Sequence, residues 1–124
     1  MIDKLKDLVN SDAALVRRGQ WFSADMLMEI GEARHIVKIR SGRIEAIEPA
    51  DLLAMNYDFA IRAPLEAWEE FWKPVPTPRH HDVMALIREG KMRIEGDIEK
   101  MLANMLTLKL MLEKPRQLTK GGGE

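Results

Sequence analysis

The sequence has 124 residues, of which 46% are hydrophobic and 31% are charged. These proportions are typical of one folded domain and argue against global disorder. The formal net charge is −1 and no basic block with interleaved aromatic side chains is present, which argues against a nucleic-acid partner.

Cysteine is absent, which excludes disulfides, thiolate chemistry and the usual cysteine-bearing zinc sites. The first residues alternate charged and apolar side chains, so a secretory signal is not expected, and no apolar run is long enough to span a bilayer. The sequence therefore predicts a soluble, cytoplasmic protein that is a monomer or a weak dimer.

One helix and one strand are predicted at the start of the chain. Apolar residues recur at helical spacing over residues 2–10. From Trp21 to Ile30 the period changes to two, which indicates a half-buried strand. In that strand Met26 and Met28 are expected to face inward.

A hairpin is predicted next. Two strands, 35–40 and 43–48, are separated by only Ser41-Gly42, and a turn of two residues fixes an antiparallel register. The predicted cross-strand pairs, which match in chemistry, are Ile39 with Ile44, Lys38 with Glu45, Val37 with Ala46, and Ile36 with Ile47.

The second half of the chain predicts alternating strands and helices. Residues 51–56 are ambiguous, with one helical turn as an option. The predicted elements after them are a strand at 57–63, a helix from Pro64 carrying Leu65, Trp68, Phe71 and Trp72, a helix at 83–89 capped by Asp82 and ended by Gly90, a strand at 91–95, and a helix from 98 to about 113 capped by Asp97. The last helix is expected to present one apolar side made of Ile98, Met101, Leu102, Met105, Leu108 and Leu112.

Together these elements predict an α+β fold. We expect a mostly antiparallel five-stranded sheet that is covered by helices and encloses an apolar cavity. A single domain is expected over residues 1–116, followed by a flexible tail at 117–124 that ends in a glycine-rich segment.

His80, His81 and Asp82 are the only cluster with catalytic potential. Imidazoles and a carboxylate can hold a metal or move a proton near neutral pH. Consecutive side chains diverge, however, and HExxH-like spacing is absent, so a helix cap at Asp82 and a pocket rim at the histidines are favoured. Neither a phosphate-binding glycine loop nor a GxSxG motif is present. We therefore expect no catalytic residues, no metal and no cofactor.

Apolar side chains are the stronger signal. The chain has nine methionines and three tryptophans, and methionine suits surfaces that fit variable apolar partners, although filling a core is its commoner role. Three prolines, Pro74, Pro76 and Pro78, hold the connection after the aromatic helix extended. We expect an apolar pocket with a polar mouth, lined by Phe22, Met26, Met28, Trp68, Phe71, Trp72, His80, His81, Met84, Ile87, Met101, Met105 and Leu108.

The order of the elements resembles that of the sterol carrier protein 2 family. The motifs that carry the likeness, over roughly residues 5–116, are Trp72-Lys73-Pro74-Val75-Pro76, His81-Asp82, the segment from Gly90 to Asp97, and the closing apolar helix. The resemblance implies a sheet that encloses a hydrophobic tunnel for sterols, fatty acids or acyl-CoA esters, without catalytic residues. It also implies structural roles for Gly90, Gly96 and Asp97. The two histidines and the Trp68/Trp72 pair predict a more polar and more aromatic mouth than a sterol requires.

The sequence thus favours a non-enzymatic carrier of an apolar small molecule. Two alternatives remain open: a small enzyme that uses His80, His81 and Asp82 on an aromatic or lipid-like substrate, and an accessory module whose methionine and tryptophan surface contacts another protein. A lipid that co-purifies would favour the carrier. Tightly bound zinc or iron would favour the enzyme, and a stable ligand-free dimer would favour the module.

Overall fold

The computed structural model describes residues 2–50, 56–73 and 82–117. The helices in these ranges are α1 (Ile2–Asn10), α2 (Ala13–Arg18), α3 (Leu65–Phe71), α4 (Val83–Arg88), α5 (Ile98–Ala103) and α6 (Met105–Glu113). The strands are β1 (Ala24–Ile30), β2 (Ala33–Arg40), β3 (Arg43–Pro49), β4 (Phe59–Ala63) and β5 (Arg93–Gly96). None of these helices has both the length and the hydropathy needed to cross a bilayer.

The five strands form one sheet in the order β3-β2-β1-β4-β5. Strand β1 is antiparallel to β2 and parallel to β4, and the other two neighbouring pairs are antiparallel. The predicted α+β fold with five strands is confirmed. The sheet is mixed because β4 lies next to β1 and runs in the same direction.

The first strand is shorter than predicted. Residues 19–21 form a turn, in which the Phe22 N–H donates a 2.7 Å hydrogen bond to the Gly19 carbonyl, and β1 starts at Ala24. The predicted inward direction of Met26 and Met28 is confirmed, since both are buried. Trp21 lies in the turn and not in the strand, and it is 89% exposed.

The predicted hairpin exists, but three of its four predicted pairs are wrong. Ile39 pairs with Ile44 as expected. Beyond that pair Glu45 is an extra residue, a β-bulge, so the partners become Ala46 for Lys38, Ile47 for Val37 and Glu48 for Ile36. Without the bulge Ile44 and Ile47, three residues apart, would face opposite sides of the sheet. The extra residue lets both face the core.

Two helical predictions need correction. The short helix α2 was not predicted; it begins at the cap Asp12, whose carboxylate accepts from the Leu15 N–H over 3.1 Å. The single long C-terminal helix is two helices, because the backbone leaves helical geometry at Asn104, where φ is −118°. The Asn104 side chain then donates to the Lys100 carbonyl over 2.9 Å.

The predicted helix caps are confirmed. The Asp82 carboxylate accepts from the Met84 N–H over 3.0 Å, and the Asp97 carboxylate accepts from the Lys100 N–H over 3.0 Å. Gly90 has a φ of +75°, as a left-handed helix end requires. Of the ambiguous segment 51–56 only Asn56 is described, and of the predicted tail 117–124 only Gln117 is described. The proline run and the two histidines lie at 74–81, outside the described residues.

Strand β3 forms one edge of the sheet and is in contact with α1. The Asn10 side chain donates from Nδ2 to the Ile44 carbonyl over 2.9 Å, and its Oδ1 accepts from the Ile44 N–H over 2.8 Å. One carboxamide therefore satisfies both backbone groups of an edge residue.

The two faces of the sheet differ in chemistry. The face toward the helices carries the buried side chains of alternate residues, among them Met26, Val37 and Ile61. The other face carries ion pairs, such as Glu29 with Arg34 at 2.9 Å. The core therefore lies between the first face and the helices.

Candidate functional site

Eight of the predicted lining residues lie together in the core between the sheet and the helices. We call this cluster the apolar layer; it comprises Phe22, Met26, Met28, Trp68, Phe71, Trp72, Met101 and Leu108, none of which is more than 4% exposed. Strand β1 supplies the two methionines from the sheet side. The helix side is supplied by α3, α5 and α6 and by Trp72, which directly follows α3. Phe22 lies two residues before β1.

The aromatic part of the layer is held by α3, which follows Pro64. The rings of Trp68 and Trp72 have centroids 5.1 Å apart and are tilted by 32°, while Phe71 lies edge-on to Trp68 at 6.1 Å. Both indole N–H groups are satisfied, since Trp68 donates to the Glu29 carbonyl over 2.9 Å and Trp72 to the Leu112 carbonyl over 2.8 Å. With the N–H groups fixed, only the apolar ring surfaces remain to line the layer.

The remaining predicted lining residues lie at its margin or outside the described chain. Met84, Ile87 and Met105 are partly buried. Ile87 and Met105 pack against the core cluster. His80 and His81 belong to the range that the structure does not describe. The predicted polar mouth therefore stays a prediction.

The apolar side predicted for the C-terminal helix is partly wrong. Met101, Leu108 and Leu112 are buried, but Ile98 and Leu102 are 40% and 48% exposed. The break at Asn104 turns the two helices relative to each other, so one continuous stripe cannot face the core. Sequence reasoning also missed Met92 and Met111 as members of the core. Met111 lies three residues after Leu108, and helical spacing would have found it.

The chemistry of the layer is almost wholly apolar. Among the described residues, Thr107 is the only buried residue of polar type. The same part of the chain contains no group of three side chains able to hold a metal ion. The layer can therefore bind by removing apolar surface from water, and it offers no acid, base or nucleophile.

A cation closes one end of the layer. Arg116 Nε donates to the Phe71 carbonyl over 2.7 Å, and its guanidinium carbon lies 4.5 Å from the Phe71 ring centroid. Burial lowers the pKa of the Arg116 guanidinium, and the carboxylates of Glu113 and Asp82 oppose this change. The contact ties the residues that follow α6 to the last residue of α3.

Several clefts open at the surface of the described residues. One of about 540 Å³ lies between α3 and the Gly90-Lys91 turn, and one of about 330 Å³ lies between α2 and the end of α6. The walls of the two clefts and of two others contain none of the predicted lining residues that the structure describes. The tunnel itself thus remains a prediction.

Comparisons of the sequence with models of protein families find no match, and no curated protein matches it significantly. Solved structures do match. A crystal structure of sterol carrier protein 2 has a TM-score of 0.75 at 12% identity, covering 92% of each chain. A Thermus thermophilus protein described as possibly a sterol carrier protein has a TM-score of 0.73 at 12% identity, covering 91% of this chain and 82% of its own.

A third similar structure is that of palmitated SCP2L2 from Aedes aegypti, with a TM-score of 0.54 at 17% identity over 86% of each chain. The backbones agree over most of both chains, which demonstrates a shared fold although the sequence identity is low. It confirms, at the level of the fold, the resemblance that the order of elements indicates. The protein has the sterol carrier protein 2 fold.

Proposed function

We propose that the protein is a non-enzymatic carrier that binds an apolar small molecule, of the sterol, fatty-acid or acyl-CoA class, between the sheet and the helices. The observation that most supports this is the composition of the apolar layer. Its described members are methionine, leucine and aromatic residues, and both indole N–H groups in it are already satisfied by backbone carbonyls. An apolar guest would leave no polar group there without a partner.

Methionine is the residue that allows such a guest to enter. Met26 and Met28 reach the layer from the sheet, and Met101 and Met111 reach the same core from the helices. The unbranched thioether side chain can change rotamer without a large cost. We propose that these side chains move apart when a ligand enters.

The affinity available from this mechanism is sufficient for a carrier. Burial of one methylene group contributes about 0.8 kcal/mol, so about ten methylenes contribute about 8 kcal/mol. That corresponds to a dissociation constant of about 1 μM. A palmitated form is described for the SCP2L2 protein of Aedes aegypti, which shares this fold. We propose His80 and His81 as the polar mouth that contacts the head group.

The proposal is tested first by native mass spectrometry and organic extraction of the purified protein. The stripped protein is then titrated with a fatty acid, an acyl-CoA and a sterol while tryptophan emission and the thermal midpoint are recorded. A bound ligand raises the midpoint, and at about 100 times its dissociation constant it stabilises the fold by about 2.7 kcal/mol. If none of the three classes changes either signal, the protein is not such a carrier.

A matched pair of variants tests whether the ligand binds in the apolar layer. Met101 is fully buried, whereas its neighbour Leu102 is 48% exposed. Met101→Trp should fill the layer and reduce ligand affinity at least tenfold, at a cost of about 1–3 kcal/mol in folding stability. Leu102→Trp adds the same group on the solvent side and should bind ligand as the wild type does. Equal affinity in the two variants would place the ligand elsewhere.

A further inference from the structure

Trp21 is the most exposed large apolar side chain among the described residues. Its exposed fraction is 89%, while the next is Leu106 with 56%. The other two tryptophans are buried in the apolar layer. An indole with almost its whole surface in water is unusual, because tryptophan is strongly stabilised by partial burial.

The backbone around Trp21 is held firmly against the β2–β3 turn. The Gly42 N–H donates to the Phe22 carbonyl over 3.0 Å, and the Ser41 N–H donates to Ser23 Oγ over 2.9 Å. A Cβ atom on Gly42 would lie only 2.8 Å from the Gly19 carbonyl group. The end of α2, the turn of residues 19–21 and the β2–β3 turn therefore form one corner of the molecule.

This corner is rich in arginine. Arg17 and Arg18 end α2, and Arg40 and Arg43 flank the β2–β3 turn; all four are exposed. Arg40 is paired with Asp25 at 2.8 Å. Arg17, Arg18 and Arg43 make no ion pair within the described part of the chain.

Arginines outnumber carboxylates in the segments that form the corner, although Asp58 also interacts with Arg40, and Asp12 and Glu113 line a cleft together with Arg18. Within residues 17–25 and 40–45 the acidic residues are Asp25 and Glu45, against four arginines. We call Trp21 and these four arginines the arginine–tryptophan corner. It presents an exposed indole beside an excess of positive charge on a protein whose formal net charge is −1.

We propose that the arginine–tryptophan corner docks the protein on an anionic lipid bilayer. Tryptophan favours the boundary between water and hydrocarbon, where its ring is buried and its N–H stays hydrated. Arginine next to it is attracted by the negative surface potential of anionic lipids. A nucleic acid is a poorer fit, because one indole on a protruding corner offers no groove to follow a phosphate backbone.

The proposal specifies which side chains contact the bilayer. Trp21 enters the headgroup region, while Arg17, Arg18 and Arg43 contact lipid phosphates or carboxylates. This proposal does not depend on the proposed ligand, because its test measures contact with vesicles and not uptake of a guest.

The test measures co-sedimentation with vesicles of phosphatidylcholine alone and of phosphatidylcholine with phosphatidylserine. Binding should require phosphatidylserine and weaken as salt is added. Tryptophan emission should shift to the blue on binding, because Trp21 is exposed whereas Trp68 and Trp72 are already buried. The part of the shift that is lost in Trp21→Ala belongs to Trp21 and separates docking from uptake of a lipid into the apolar layer. Acrylamide quenching should fall in parallel.

Variants identify the surface. Replacement of Arg17, Arg18 and Arg43 by Ala should lower the partition coefficient about fivefold for each arginine removed. Trp21→Ala should lower binding as well and should remove the emission shift. The controls are Arg88→Ala, an exposed arginine on α4, and Leu65→Ala, an exposed apolar residue on α3. Both should bind vesicles as the wild type does, and unchanged thermal midpoints show that all variants are folded.

Several results would overturn the proposal. These are absence of vesicle binding, equal binding with and without phosphatidylserine, or equal losses in the corner and control variants. Protection of Trp21 that rises with protein concentration alone would assign the corner to a second copy of the chain. Tight binding to a DNA duplex, with none to vesicles, would assign it to nucleic acid.

Discussion

Asp58 connects segments that are far apart in the sequence. Its Oδ2 accepts from the Asp25 N–H over 2.7 Å, and its Oδ1 accepts from Lys100 Nζ over 3.2 Å. Its backbone carbonyl accepts from the Asp97 N–H over 2.7 Å. This one residue thereby fixes the start of β4 against β1 and against the start of α5.

The Asp58 contacts predict a pH effect on stability. Burial raises the pKa of the Asp58 carboxyl, but the hydrogen bond from Asp25 and the ammonium of Lys100 outweigh burial and hold the pKa below its usual 3.8. The carboxylate therefore stabilises the fold above about pH 4, and this contribution is lost as the pH falls through the lowered pKa. Asp58→Asn should lose about 1 kcal/mol at neutral pH and show a shallower loss on acidification.

Urea unfolding at a series of pH values measures this effect. Asp7→Asn is the control, because the exposed Asp7 side chain makes none of these contacts. A variant at position 58 with the same acid dependence as the wild type would contradict the assignment. Sequence reasoning could not select Asp58, since Asp25 and Lys100 lie 33 and 42 residues from it in the chain.

At the scale of elements, two glycines have different tasks, Gly90 before β5 and Gly96 as its last residue. Gly96 has a φ of +95°, and a Cβ atom there would lie 2.6 Å from the Asp58 carbonyl oxygen. Gly90 has a φ of +75°, but a Cβ atom there would meet nothing within 4 Å. Only Gly96 is therefore required both for its backbone conformation and for a close approach.

These two positions form a matched experiment. Gly96→Ala should lower the free energy of unfolding by about 1–3 kcal/mol beyond the cost at Gly90, because β4 and β5 must separate to admit the methyl group. Gly90→Ala should cost about 1 kcal/mol from backbone strain alone. Chemical denaturation of both variants measures the difference. Equal losses would show that the approach of Gly96 to Asp58 does not matter for stability.

The sequence predicted the type of most elements but not their details. The Ser41-Gly42 turn and the caps Asp82 and Asp97 have local signals, and all are present. The bulge at Glu45 has no local signal in the sequence. It is needed only because Ile44 and Ile47 must both face the core of the folded protein. The parallel direction of β4 was missed since alternation reveals a strand and not its direction.

At the scale of the whole molecule, residues 112–116 contact both α2 and the end of α3. Lys114 Nζ lies 2.5 Å from the carboxylate of Asp12, the cap of α2, 102 residues away. Trp72 donates to the Leu112 carbonyl, and Arg116 donates to the Phe71 carbonyl. The last turn of α6 and the residues after it are therefore part of the cooperative structure.

Loss of the contacts made by residues 112–116 should destabilise the protein as a whole. Arg116→Ala removes a charge-assisted hydrogen bond and a contact with the Phe71 ring, so we expect a loss of about 1–3 kcal/mol. Far-UV circular dichroism and tryptophan emission should give the same lowered midpoint, since one cooperative unit unfolds. The control Arg88→Ala should stay within about 0.5 kcal/mol of the wild type. Two separate unfolding transitions in the Arg116 variant would show that the contacts of Arg116 stabilise only their own surroundings.

The burial of the candidate residues was predicted better than the shape of the layer that they form. Apolar periodicity placed Met26, Met28 and the α3 aromatic residues correctly in one layer, because burial follows from spacing. Whether such a layer is filled or open depends on packing across elements, which no local pattern encodes. The exposed position of Trp21 was missed for a related reason, since the alternation of β1 continues by chance into the preceding turn.

The amide of Asn10 has a consequence for how copies of this protein meet in a crowded solution. An edge strand with unpaired backbone groups is a template onto which another chain can add. At β3 the carboxamide occupies both groups of Ile44 in the manner of a neighbouring strand, and the adjoining bulge and Pro49 disturb the rest of that edge. The opposite edge, β5, has four residues, two of them charged. Both borders of the sheet thereby discourage fibrillar stacking, which protects a protein whose interior is rich in apolar side chains.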